Sequence, residues 1–306
     1  MSVHRYIMIW HKGAWMMIYR LLAMNIDGTI LQSNGKLHKS VKEAVEYVQS
    51  KGVMVTLVTS RNFAFAKRMA KALKLQTMVI AHHGAFIASS SDQAIFVKRI
   101  DEQIVQDIIR FLETFSCHIR IVHEKYSVSN VPLKNSIVTR AVIDTNSFST
   151  YHHQFVKNLG EYVEEEQIHP THIEIDFPDQ KVAKEVKIAL QNMFYEIDLY
   201  LYDNQLIILP NGVSKLTGLL YFCEKQKISL NETVAIGSDI DDLDFIEAAG
   251  LGVAMGNAPI AVRKAADWVT RSNNEHGVSY MVREHFRKQQ PISFLEKINS
   301  IKKSSI

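Results

Sequence analysis

The stretch Ile18-Tyr19-Arg20-Leu21-Leu22-Ala23-Met24-Asn25-Ile26-Asp27-Gly28-Thr29 runs apolar for the length of a buried strand and then stops abruptly at Asp-Gly-Thr. Beyond the turn-rich Ser33-Asn34-Gly35, residues Val41, Ala44, Val45 and Val48 recur at i, i+3, i+4 and i+7, the stripe of an amphipathic helix. Gly52 is placed to end it. Val53 to Val58 is a second strand-like run, with Thr59, Ser60 and Arg61 at its end. Ala66, Met69, Ala70 and Leu73 give a second helical stripe, and Met78 to Ala81 a third apolar run. This β-α-β-α-β order implies a parallel sheet with helices on its faces. Such sheets bind ligands beyond the carboxyl ends of their strands, where Asn25-Ile26-Asp27 and Thr59 are predicted to lie.

The pattern changes after Phe86. A helix is expected through Val105, Ile108, Ile109 and Leu112, then a strand in which Ile173, Ile175 and Phe177 alternate with His172, Glu174 and Asp176, as on a sheet with one wet face. A helix through Val182, Val186, Ala189 and Met193 follows, with strands at Leu199–Tyr202 and Leu206–Leu209. The first pattern then resumes at Thr233 to Ile236. The expected architecture is α/β: a Rossmann-like, doubly wound parallel-sheet core with an inserted α+β cap domain. Residues 17–85 and 210–287 are assigned to the core and 86–209 to the cap. Residues 1–16 read as an extension outside the fold and 288–306 as a basic, solvated tail.

The chain of 306 residues is long enough for two cores, and a net charge of +3 is too small to argue for nucleic acid. Cys117 and Cys223 lie far apart without metal-type spacing, as expected of reduced structural cysteines in a cytoplasmic protein. No apolar run reaches membrane-span length, and Met1 to Trp15 lacks the continuous apolar segment of a signal peptide. Met16 or Met17 would serve equally well as a start.

Four separated segments converge on one chemistry. Asn25-Ile26-Asp27-Gly28-Thr29-Ile30-Leu31, Thr59-Ser60-Arg61, Pro210-Asn211-Gly212-Val213-Ser214-Lys215 and Gly237-Ser238-Asp239-Ile240-Asp241-Asp242 occur in this order, followed by Gly252-Val253-Ala254-Met255-Gly256-Asn257-Ala258. Together they resemble the motifs of the haloacid-dehalogenase-like phosphatases, and their spacing is similar to that of the Cof-type branch with its large cap. The resemblance implies a Mg²⁺-dependent hydrolase of small phosphorylated metabolites such as sugar phosphates. In that chemistry a carboxylate attacks phosphorus, and an acid two residues later protonates the leaving oxygen and activates water. Threonine and lysine donors stabilise the phosphoryl oxygens.

Carried over by position, the resemblance makes Asp27 the acid/base and Thr59, Ser60 and Lys215 the phosphate binders. Asp242 supports the metal or the lysine, and Arg61, His83 and Asn257 lie where substrate contacts are expected. The departures fall on the most demanding positions. Asn25 stands where the nucleophilic aspartate belongs, Ser238 where a metal-binding aspartate belongs, and Asp241 where asparagine contacts phosphate. His83 replaces the asparagine that follows the third strand. Two readings compete. In one, Asp239 or Asp241 supplies the lost metal ligand beside Asp27 and Asp242, and hydrolysis survives. In the other, catalysis is weak or lost and the pocket serves as a metabolite-binding or regulatory module, with a protein-interaction role as a third class. Elsewhere His169-Pro170-Thr171-His172 reads as a surface loop lacking a third metal ligand, His152-His153 as solvated surface, and Glu164-Glu165-Glu166 as an exposed face.

Overall fold

The computed structural model describes residues 8–11, 14–131 and 151–295, with side chains from Ile18 onward. The chain opens with a hairpin, β1 (Met8–His11) and β2 (Ala14–Met17), which forms a two-stranded sheet of its own. Strand β3 (Leu21–Met24) leads through the turn at Ile26–Ile30 to α1 (Lys39–Ser50), β4 (Met54–Leu57), α2 (Phe63–Ala72) and β5 (Val79–Ala81). A second hairpin, β6 (Phe86–Ala88) and β7 (Ala94–Val97), precedes α3 (Glu102–Leu112), β8 (His118–Val122) and β9 (Tyr126–Ser129). Next come β10 (His152–Phe155), α4 (Leu159–Glu166), β11 (His172–Asp176), α5 (Gln180–Met193), β12 (Ile197–Tyr202) and β13 (Gln205–Pro210). The chain then adds α6 (Lys215–Gln226), β14 (Thr233–Gly237), α7 (Leu243–Ala248), β15 (Leu251–Ala254), α8 (Ile260–Ala265), β16 (Trp268–Val269) and α9 (Gly277–Phe286).

The core sheet is parallel, in the order β16-β15-β14-β3-β4, and β3 is buried along its whole length. Alternate β3 side chains point to opposite faces, so each face has its own apolar layer. Leu22 and Met24 pack with Val45 and Val48 of α1 and with Met281 and Phe286 of α9. Leu21 and Ala23 pack with Leu219 and Phe222 of α6 and Phe245 of α7. Helices on both faces make this the doubly wound core that the periodicity implied.

The cap domain is a six-stranded sheet, β10-β9-β8-β11-β13-β12, antiparallel except for the β9–β10 pair. Helices α3, α4 and α5 cover one face through Val105, Ile109, Val163 and Val186 against Ile119, Ile121, Ile173 and Ile175. The other face looks toward the core, where Ile207 and Leu209 meet Ala85 and Val213.

Three expectations change. Strands β6 and β7 extend the core through β5, which bridges to Val58 in parallel, and Ile87 is buried with Ile80 and Leu219. The change of pattern at Phe86 therefore marks an antiparallel edge of the core, not the start of the cap. The first part of the tail is docked on the core rather than free in solvent. Gln289 is buried, donating to Tyr19 O (2.8 Å) and accepting from Tyr19 N (3.0 Å), while Ile292 N–H donates to Lys51 O (2.9 Å). Finally, Pro170 to His172 is buried against the core instead of forming a surface loop, because Thr171 N–H bonds to Val122 O and its hydroxyl meets His82. No described helix is long and apolar enough to cross a membrane.

Candidate functional site

The carboxyl edge of the core sheet gathers the motif residues. Asn25 follows β3, Thr59 follows β4, Ser238 and the Asp239–Asp242 turn follow β14, and Lys215 begins α6. Gly28 makes the reversal between Asn25 and Thr29 at φ +62°, and a Cβ there would meet Ser238 Oγ at 2.6 Å. Both backbone angle and space demand glycine.

Asn25 is buried and fully engaged. Its Oδ1 accepts from Ile26 N (2.7 Å), and its Nδ2 donates to Asp242 Oδ2 (2.8 Å) and toward Asp27 O (3.3 Å). Flipping the amide would set two acceptors against each other at Asp242, so the hydrogen bonds fix its orientation. Asp242 Oδ2 also accepts from Ser238 N (2.7 Å) and Asp239 N (2.9 Å), and its Oδ1 takes Lys215 Nζ at 2.6 Å. Burial and the neighbouring Asp241 push the Asp242 carboxyl up to about 6 against the pull of Lys215. With four donors around it, the group remains a carboxylate at neutral pH.

Lys215 also donates to Asp241 Oδ1 (2.8 Å), whose other oxygen lies 3.3 Å from His83 Nδ1. Burial alone would discharge the lysine, but the two carboxylates override it and raise its pKa. Conversely, burial works against the Asp241 carboxylate, and the charge of Lys215 with the His83 contact holds it well below its usual range.

Asp27 forms a two-pronged ion pair with Arg61, whose Nε and Nη2 each lie 2.8 Å from a carboxylate oxygen. Thr59 is buried, and its hydroxyl accepts from Arg61 N (3.1 Å), while Ser60 stands half-buried beside it. Two further residues border this cluster, and Asp239 feels the charges of Asp241, Lys215, Asp27 and His83. Asp239 is exposed on the turn, and Asn257 spends its amide tying Gly28 O (3.0 Å) to Asn273 N (2.9 Å). Asn257 thus buttresses the loop instead of facing a ligand. A cavity of about 300 Å³ opens between cap and core, lined by His83, Lys215, Asp241, Tyr202, Leu199 and Asp244.

A family model described as haloacid dehalogenase-like hydrolase matches residues 22–282, nearly the whole of the two domains. The chain belongs to this family. Among its haloacid dehalogenase-like relatives, of the Cof type, it is 43% identical over 282 residues to the stress response protein YhaX of Bacillus subtilis, covering 92% of this chain and 98% of that one. It is 24% identical over 264 residues to a 5-amino-6-(5-phospho-D-ribitylamino)uracil phosphatase of the same organism, YcsE, covering 86% and 94%. A solved haloacid dehalogenase-like hydrolase from B. subtilis superposes with a TM-score of 0.75 at 23% identity, covering 86% of this chain and 99% of that one.

Haloacid dehalogenase-like phosphatases generally use Mg²⁺, a hard cation that needs oxygens with free lone pairs. The residues here do not fit it. Ser238 Oγ donates to Asp27 O (2.9 Å), and Asn25 Nδ2 points at the same carbonyl. Thr29 Oγ1 lies 3.2 Å from Ser238 Oγ. The Asp27 carbonyl that would face a metal instead faces N–H and O–H groups from Asn25 and Ser238, and the Asp27 carboxylate faces Arg61.

The alternation in β11 predicts a wet cap face that closes over the site, but sequence reasoning named no cap residue as part of that site. His172, Glu174 and Arg120 descend on His83 from the core-facing side of the cap sheet. The alternation of His172, Glu174 and Asp176 placed them on one face, but no local signal said that His83 is the residue His172 meets.

Proposed function

We propose that this protein is a phosphatase-derived module that binds a small phosphorylated metabolite, of the sugar-phosphate kind, and hydrolyses it weakly or not at all. The observation that carries this reading is Asn25: a neutral amide whose oxygen and nitrogen are both committed to internal hydrogen bonds. Removing a covalent nucleophile costs on the order of 10⁶ in rate in a well-studied serine enzyme. The neighbouring carboxylate, Asp27, is held by Arg61 rather than poised for attack.

Thr59, Ser60, Arg61 and Lys215 supply the donors for a phosphoryl group. The charge count sets a limit on affinity. Lys215 and Arg61 stand against Asp27, Asp241 and Asp242, so a dianion binds well only when Arg61 turns from Asp27 to the phosphate. In the active alternative, with Asp239 or Asp241 holding a rearranged Mg²⁺, Asp241 is already taken by Lys215 and His83, which leaves the role to Asp239. The phosphate ester named for YcsE is consistent with a phosphorylated polyol or sugar ligand.

The test pairs a phosphatase assay with thermal denaturation across sugar phosphates, FMN and p-nitrophenyl phosphate, with and without Mg²⁺. A ligand-dependent rise in melting temperature without turnover is expected. Turnover that disappears in Asp27→Asn would overturn the proposal. A flat melting profile across the panel would favour a protein-interaction role instead.

A further inference from the structure

We propose that His83, His172 and Glu174 form a site for a divalent transition-metal ion of the zinc class, joining the cap to the core. His83 comes from the core loop after β5; His172 and Glu174 stand two residues apart on one face of β11, in the cap. One ligand atom from each lies within 4.8 Å of the other two. His172 Nε2 and Glu174 Oε1 are 3.1 Å apart, close to the roughly 3.4 Å edge of a tetrahedron with zinc-like bonds of about 2.0–2.1 Å. The imidazoles of His83 and His172 meet edge to face with centroids 5.1 Å apart.

Each member is also anchored through its other polar atom, as metal ligands require. Arg120 Nε holds Glu174 Oε2 (2.9 Å), leaving Oε1 inward. Asp241 holds His83 Nδ1 (3.3 Å), and Thr171 Oγ1 lies 3.2 Å from His172 Nδ1.

Thr171 has one hydroxyl hydrogen and donates it to Val122 O (2.9 Å). His82 Nε2 accepts from Phe63 N (3.1 Å), so its Nδ1 carries the proton and gives it to Thr171 Oγ1 (3.0 Å). Thr171 is therefore an acceptor toward His172 as well, and His172 carries its proton on Nδ1. In this tautomer the bare Nε2 faces a carboxylate oxygen, an arrangement that a shared cation makes favourable. Imidazole and carboxylate together suit zinc, cobalt or nickel better than Mg²⁺. Three protein ligands leave a fourth position for water or a ligand oxygen.

The test uses the full chain in phosphate-free buffer at neutral pH, with Zn²⁺ and Co²⁺ as probes. Competition with a chromophoric chelator is expected to show one Zn²⁺ per chain, and Co²⁺ to give the intense visible bands of a four-coordinate site. His172→Ala, Glu174→Gln and His83→Asn should each weaken Zn²⁺ by at least about tenfold, the lower end for disturbed metal spheres. Asparagine tolerates the left-handed backbone of His83, at φ 56°, so this variant keeps its fold. Absence of stoichiometric Zn²⁺ binding by the unaltered chain would mean that a proton alone bridges the pair, and would overturn the proposal. Equal affinity in Glu174→Gln and His83→Asn would place the metal elsewhere and overturn it too.

Discussion

Asn25 Nδ2 donates to Asp242 Oδ2 at 2.8 Å, so the residue in the nucleophile's place serves as a hydrogen-bond donor to a neighbouring acid. In Asn25→Asp this contact becomes two buried carboxylates face to face. We expect a loss of about 1–3 kcal/mol in stability, measured by urea denaturation, from the lost bond and the repulsion. Mg²⁺ should restore stability only when Ser238→Asp is added. An Asn25→Asp protein as stable as the parent would contradict the donor role.

Lys215 neutralises Asp241 and Asp242 together. Lys215→Met should cost about 3–5 kcal/mol, as for a buried pair that loses one partner. Without the ammonium, the folded-state acids titrate above their unfolded values. The variant's deficit should therefore shrink as pH falls toward 5 and grow as it rises, the opposite of ordinary acid denaturation.

Freeing Arg61 should help a phosphate ligand. Asp27→Asn removes the carboxylate that now occupies the guanidinium, and binding of a sugar phosphate should tighten about three- to tenfold, or about 0.7–1.4 kcal/mol. Isothermal titration of both proteins with the same ligand decides this. Weaker binding in Asp27→Asn would mean that Asp27 itself contacts the ligand.

His153 gives the cap a pH-dependent element. Burial pushes its imidazole down to about 4, and Ser127 Oγ (2.9 Å) and Ser129 Oγ (3.1 Å) flank the ring. The unfolded chain therefore binds a proton between about pH 6.5 and 4 that the folded chain refuses. Stability contributed by this group is complete above about 6.5, falls as the pH drops through that window, and is level below it. Urea midpoints measured from pH 7.5 to 4 should fall less steeply in His153→Gln; an unchanged slope would assign the effect to other groups.

The tail is the last test. Gln289→Ala removes both bonds to Tyr19 at the entry to β3 and should lower stability by about 1–3 kcal/mol, read as a urea midpoint. A neutral result would show that water replaces the amide there.

The core was legible because its signals are local. The stripe of Val41, Ala44, Val45 and Val48 falls inside α1, and the strands end where the chemistry-bearing residues stand. What stayed hidden depends on contacts between distant segments. Ile87 and Phe96 occupy short runs around the turn at Ser89–Asp92, too brief to carry a period, and only β5 decides that they pair with the core. His172 looked like part of a loop because the groups that bury it, His82 and His83, lie far away in sequence. Gln289 sits in a basic stretch whose composition says nothing of one amide fitted to one backbone.

The two crossings between core and cap run side by side: Lys98 Nζ donates to Asn211 O at 2.6 Å, and Gly212 turns the return chain at φ +71°. Across the cleft, Thr171 is fastened to His82 by a bond with no exposure to water. Any lifting of the cap from the core would break that bond and expose two buried polar groups at once. The Thr171–His82 contact therefore acts as a latch that favours the closed arrangement of cap and core.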